Sequence, residues 1–135
     1  MSNREYAASG YIDALRGDRW EDAYHSLIEL GVAAVPVIAE AYRDPSQSDL
    51  RQILLRIIGQ TRSNNVVSLL SDGLEDQDAN IWKEALDALT ALGTHSALNV
   101  IRDARRRANS EKSEWLDEAI EQITDRMAET GEAER

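Results

Sequence analysis

Leu50-Arg51-Gln52-Ile53-Leu54-Leu55-Arg56-Ile57-Ile58 aligns over Ile81-Trp82-Lys83-Glu84-Ala85-Leu86-Asp87-Ala88-Leu89 at a constant offset of 31 residues. The period extends beyond this pair. Ile38, Leu70 and Ile101 follow one another at separations of 32 and 31, preceded by the apolar stretches Val35-Pro36-Val37, Val67-Ser68-Leu69 and Leu98-Asn99-Val100. A fixed period of this length marks a stacked array of short supersecondary units rather than one globular core. Function is therefore expected on a surface.

The apolar residues within each unit recur at helical spacing, and no alternating strand runs or Asn-Gly and Asp-Gly hairpins occur. The expected helices cover residues 3–16, 18–31, 33–43, 49–61, 64–74, 78–92, 96–108, and 110 or 113 to 127. Asp18, Asp49 and Asp78 are read as N-caps, and Gly17, Gly31 and Gly93 as C-terminal stops. Pro36 falls in a first turn, where a missing N–H costs little, and Asp44-Pro45-Ser46 ends a helix. On the last helix Trp115, Leu116, Ala119, Ile120 and Ile123 are expected on the inner side. Residues 128–135 read as a flexible acidic tail.

These residues resemble the HEAT-repeat family, and most closely the short HEAT-like repeats of the phycobilisome-lyase type. The likeness rests on helix–turn–helix units with Asp44 or Asp76 in the inter-unit turn, Leu50-Arg51 or Ile81-Trp82 opening the first helix, Gly31 or Gly93 at the hairpin, and Val35-Pro36-Val37-Ile38 opening the second. Arg51 stands where this family often has Arg, while Trp20 and Trp82 hold the equivalent places, so no regular Asp–Arg ladder is expected. The resemblance implies an all-α, right-handed α-solenoid of about 3.5 repeats and 7–8 helices, in one domain over residues 1–127. Repeats are placed at about 18–46, 47–77 and 78–109, with a half-repeat at 110–127. The extra opening helix and the unpartnered closing one suggest a complete short solenoid.

With 42% hydrophobic and 30% charged residues in 135, the composition is that of a folded domain and not of a disordered one. The absence of Cys removes disulfides and thiolate chemistry and suits a reducing compartment. No apolar leader follows Met1-Ser2-Asn3-Arg4-Glu5, and no run of 18 apolar residues occurs, so a soluble, cytoplasmic protein is expected, away from membranes. The net charge of −10 is concentrated: residues 72–87 contribute −5 and residues 108–135 contribute −6. Such a balance repels phosphate backbones, and no nucleic-acid partner is expected. It favours either solubility alone or a cationic protein partner.

Candidate chemistry is sparse. His25, four residues before Glu29, lacks a second His, and His95 sits beside Gly93-Thr94 in a turn, so neither reaches the ligand count of a metal site. Some HEAT-repeat hydroxylases bind iron through repeated His-Glu dipeptides, and this sequence has none. Gly-x-Ser-x-Gly elbows and Gly-rich phosphate loops are likewise missing. The expectation is no catalytic, metal or cofactor site, and no enzyme activity. Trp20, Trp82 and Trp115 are read as wedges between units rather than as an exposed aromatic ridge. Arg102, Arg105 and Arg106 form a stripe, like the cationic face of HEAT-like DNA glycosylases, but pairing with Asp103, Glu111 and Glu114 is the expected role.

In an α-solenoid the second helices line the concave face, and equivalent positions form columns along it. The outward positions there are Glu40, Arg43, Ser68, Ser71, Asp72, Asn99, Arg102, Asp103 and Arg106, which are taken as the partner-binding residues. The mixture of charge suits a protein or peptide. The expected function is a non-catalytic protein-interaction module, monomeric, binding its partner on this face. An immunity or antitoxin-like neutraliser of a basic toxin is the alternative, and a phycobilin lyase-like subunit the further one.

Overall fold

The computed structural model describes residues 3–130. Among the described residues eight α-helices follow in order: α1 (Asn3–Ala14), α2 (Trp20–Leu30), α3 (Val35–Arg43), α4 (Arg51–Gly59), α5 (Val67–Leu74), α6 (Ala79–Leu92), α7 (His95–Arg105) and α8 (Ser110–Thr130). Strands are absent among the described residues. The helix of residues 110–127 runs on to Thr130, so Ala128, Glu129 and Thr130 are helical and not tail. The remainder of the expected tail lies outside the described residues.

None of these helices could bury its apolar stripe alone, and the packing shows how neighbours do it for one another. First helices stack in a row, α2 beside α4, α4 on α6, and α6 on α8. Each second helix leans on the first helix of the next unit: α3 on α4, α5 on α6, and α7 on α8. The opening helix α1 packs on α2 and α3, so it occupies the place that a second helix of a preceding unit would fill. The array is a helical solenoid with one continuous core. The aligned residues Ile38, Leu70 and Ile101 are each 0% exposed within it. Each such side chain contributes about 1.5–3 kcal/mol when fully buried.

Local capping departs from expectation in two places. Asp18 does not cap α2; Arg19 holds that position, without a side-chain cap, and its guanidinium turns to Asp22 at 2.9 Å instead. Asp49 does not cap α4 either. The chain enters α4 through a 3-10 segment, Pro45–Leu50, opened by Asp44, whose carboxylate accepts the Ser46 N–H at 2.9 Å. Asp49 is thereby released to pair with Arg16, 2.7 Å away. Asp78 behaves as expected, accepting from the Asn80 N–H at 2.9 Å.

The run from Trp20 to Arg43 contains an 18-residue window of mean hydropathy 1.2, long and apolar enough on composition to cross a bilayer. Gly31, at φ +59°, breaks it into α2 and α3, both of which pack on α1.

The period of 31 also exposes a strained residue. Gly31 and Gly93 both take positive φ at their hairpins, and the equivalent position in the middle unit, Arg62, takes φ +52°. An L-residue in the left-handed region costs about 1–2 kcal/mol, which glycine avoids. Against this stands the greater freedom of glycine in the unfolded chain, and an exposed bond from Arg62 to the Ala91 carbonyl at 3.4 Å. Arg62→Gly is expected to stabilise the fold by roughly 0.5–1 kcal/mol. A urea melt would show a higher midpoint with an unchanged slope; a lower midpoint would mean that the Ala91 contact outweighs the strain.

Candidate partner-binding surface

The second helices carry the surface that the repeat singles out. Glu40, Asp72 and Asp103 are equivalent positions, 32 and 31 residues apart, and form one column across α3, α5 and α7. Arg43, Glu75 and Arg106 form a second column beside it at the same separations. Of the nine expected partner-binding residues, eight are exposed, and Ser71 is half-buried.

Long-range ion pairs tie the columns together. Arg43 of α3 reaches Asp72 of α5 at 3.4 Å. Asp103 accepts from Arg107 at 2.8 Å and lies 3.7 Å from Arg106. Arg107 also pairs with Glu75, so one guanidinium links the end of α7 to the end of α5. The Arg107 hydrogen bond and charge hold the Asp103 carboxyl below its ordinary range. These pairs are solvent-exposed, so each adds little stability, but together they order the charges of the face. Glu40, Ser68, Ser71, Asn99 and Arg102 make no side-chain hydrogen bond or ion pair among the described residues.

The arginine stripe is paired as expected in kind, but with partly different acids. Arg105 bonds Asp117 at 2.7 Å, and Arg106 and Arg107 share Asp103, whereas Glu111 and Glu114 take no part. Arg102 is the member of the stripe left unpaired among the described residues.

At the inter-unit turns, Arg51 makes one rung. Its Nε donates to the Tyr42 carbonyl at 3.2 Å, its guanidinium stacks 5.5 Å over the Tyr42 ring, and its Nη1 lies 3.7 Å from Asp76. In the next unit Trp82 replaces this arginine, and Lys112 of α8 makes the contact instead. Its Nζ donates to the carbonyl of Leu74, the equivalent of Tyr42, while passing 5.3 Å over the Trp82 ring. Sequence reasoning missed Lys112 because it lies 38 residues from its acceptor, in a different unit.

The tryptophans divide. Trp82 wedges between units at 6% exposure, with its ring 6.1 Å edge-on from Trp115. Trp20 and Trp115 are 41% and 42% exposed, against the expectation for both and against the inner placement of Trp115. The cause is position in the stack: α6 has first-layer neighbours on both sides, whereas α2 and α8 have one each.

A profile of HEAT repeats matches residues 34–122, well over half of the chain. The chain belongs to the HEAT-repeat family. This HEAT-repeat chain is also 33% identical, over 108 residues, to a deoxyhypusine hydroxylase from Chaetomium globosum, an alignment covering 77% of the chain and 31% of that protein. It thus spans about a third of the relative's length. No solved structure matches it.

The relative corrects one expectation. It is named as an enzyme, so the exclusion of enzyme activity from missing motifs does not stand. Motif absence tests only for familiar local signatures, and kinship to an enzyme can survive without them. The metal implied for HEAT-repeat hydroxylases does not find a fitting site here. His25 lies on α2 with its ring 5.3 Å from Tyr24, and His95 opens α7. Among the described residues no three of His, Cys, Asp and Glu come together as ligands.

Proposed function

We propose that this HEAT-repeat chain is a protein-interaction scaffold whose partner lies across α3, α5 and α7. The observation that carries the reading is the ordered charge of that face. Glu40, Asp72, Glu75 and Asp103 are balanced by Arg43, Arg102, Arg106 and Arg107, and most are held in place by mutual ion pairs. A pre-ordered, neutral mosaic favours a partner with the complementary arrangement over any merely basic one. The reading as a neutraliser of a basic toxin draws no support from this face, since its charges cancel.

The test uses the two charged residues that no ion pair occupies. Glu40→Lys and Arg102→Glu should each weaken binding of the native partner about tenfold without shifting the thermal melt. Glu21→Lys, on the first-helix side, should leave binding unchanged. If Glu21→Lys abolishes binding while the other two do not, the partner sits on the opposite layer.

The relative favours a second reading, that the chain shares a hydroxylase activity toward deoxyhypusine. Incubation of the full chain with a deoxyhypusine-bearing protein, dioxygen, ferrous iron and a reductant should then add the mass of one oxygen atom to that protein, the second oxygen leaving as water. No mass gain under conditions where the relative is active would exclude it.

A further inference from the structure

The net charge that the α3–α5–α7 face lacks is carried at the far end of the first-helix row. Helix α8 holds seven acids against Lys112 and Arg126. Glu114, Glu118, Glu121, Asp125 and Glu129 succeed one another at intervals of three or four residues and so share one stripe. All five are exposed, and none forms an ion pair among the described residues. Like-charged neighbours at this spacing oppose the helix they sit on unless a cation screens them.

Beside this stripe, α6 and α8 leave an open groove of about 510 Å³ lined by Asp87, Thr90, Ala91, Gln122, Asp125 and Arg126. It continues past Leu86 and Ala119 to the exposed ring of Trp115. The floor is apolar, while Asp87 stands on the α6 rim and Glu118 and Asp125 on the α8 rim. Arg126 shares the α8 rim with its guanidinium turned to the Thr90 carbonyl, and Lys83 lies 4.4 Å over the Trp115 ring, so three carboxylates face two cations. Burial, with the charge of Glu84 added, pushes the Asp87 carboxyl above its ordinary value. From Trp115 to Arg126 the groove runs about 16 Å along α8, some three helical turns.

We propose that this groove docks a basic amphipathic helix from a partner protein. Its apolar side would lie on Ala91, Ala119 and Trp115, and its Lys or Arg side chains would reach Asp87 on one rim and Glu118 and Asp125 on the other. An apolar floor between rims on which carboxylates predominate selects that pattern rather than a uniformly polar chain. A second copy of this chain is a poor occupant, since both copies carry the same strong negative charge. The surface is separate from the α3–α5–α7 face and does not depend on the reading given to it.

The probe is a fluorescent Lys/Leu peptide of amphipathic helical pattern, titrated against the full chain beside a scrambled peptide of equal composition. The patterned peptide should bind and the scrambled one should bind at least about tenfold more weakly. The double variant Asp87→Asn, Asp125→Asn should lower affinity about tenfold and flatten its salt dependence. Trp115→Ala should weaken binding without changing the salt dependence. Glu40→Lys and Arg102→Glu should leave peptide binding unchanged, which separates this site from the partner face. Equal binding of both peptides, indifference to Asp87, Asp125 and Trp115, or self-association of the chain through the groove would each overturn the proposal.

Discussion

Leu89→Asp is expected to yield a chain with no cooperative unfolding transition. Leu89 is 0% exposed on α6, the helix that packs against α4, α5, α7 and α8 at once. Removing a buried leucine side chain costs about 2–5 kcal/mol in lost transfer and residual cavity. The aspartate adds the cost of a buried group with no donor to meet it, several kcal/mol more, whether it stays charged or takes up a proton. Total stability for a domain of this kind is about 5–15 kcal/mol, so the two costs together consume most or all of it. In a solenoid the loss cannot be confined to an end, because α6 joins the units on either side. Circular dichroism on heating should show a broad, shallow decline in place of a sigmoid. Leu89→Met, which conserves volume, should keep the sigmoid at a cost below about 1.5 kcal/mol. A normal melt for Leu89→Asp would mean that Leu89 does not occupy the core.

Leu89 was legible from the period alone, and so was much of the fold. The repeat that sets Ile58 over Leu89 also sets Ile38, Leu70 and Ile101, at separations of 32 and 31, in one buried row, because a repeat can be stacked only if equivalent residues meet equivalent neighbours. The same arithmetic points to Arg62 as the counterpart of Gly31 and Gly93. That strained hairpin could have been found by counting, but it was obscured by the absence of glycine. Caps were less legible. An aspartate near a helix start has several competing uses, and Asp49 went to Arg16 while Asp18 left α2 without a side-chain cap. The placement of the candidate partner-binding residues along α3, α5 and α7 follows from the period, whereas their pairing does not. Arg107 meets Glu75 across 32 residues, and such contacts depend on side-chain rotamers that periodicity leaves open. The exposure of Trp20 and Trp115 follows from being at the ends of a stack, a property of neighbours and not of the residues themselves. Kinship to an enzyme was not legible in local motifs, because the likeness is spread over 108 residues.

Gly59→Leu is expected to be the next most damaging single change, because it forces apart the two helices that meet most extensively. A Cβ built on Gly59 would lie 2.9 Å from the Ala88 Cβ, closer than such atoms approach, with the Ala88 Cα in contact behind it at 3.6 Å. Ala88 has no flexible end that could swing aside, so the backbones of α4 and α6 must separate. Gly73 faces a similar approach, 2.9 Å from the Leu55 Cδ1, which can rotate away, and 3.1 Å from the Ala85 Cβ, which needs to give by only a few tenths of an ångström. Overpacking of this kind costs about 1–3 kcal/mol, and a whole isobutyl group at a backbone contact belongs at the upper end. Leucine's better helix propensity returns up to about 1 kcal/mol, less than the strain at a helix's last residue. The melting temperature should fall by roughly 5–10 °C. Ala88→Gly alone should also destabilise, by about 1 kcal/mol, through its lower helix propensity. Combined with Gly59→Leu it should instead recover part of the loss, because it removes the atom that the new side chain meets. The double-mutant cycle would then show a favourable coupling of about 0.5–3 kcal/mol, which two residues out of contact cannot produce. Strict additivity would place Gly59 and Ala88 apart and refute the close packing of α4 on α6 on which the continuous core depends.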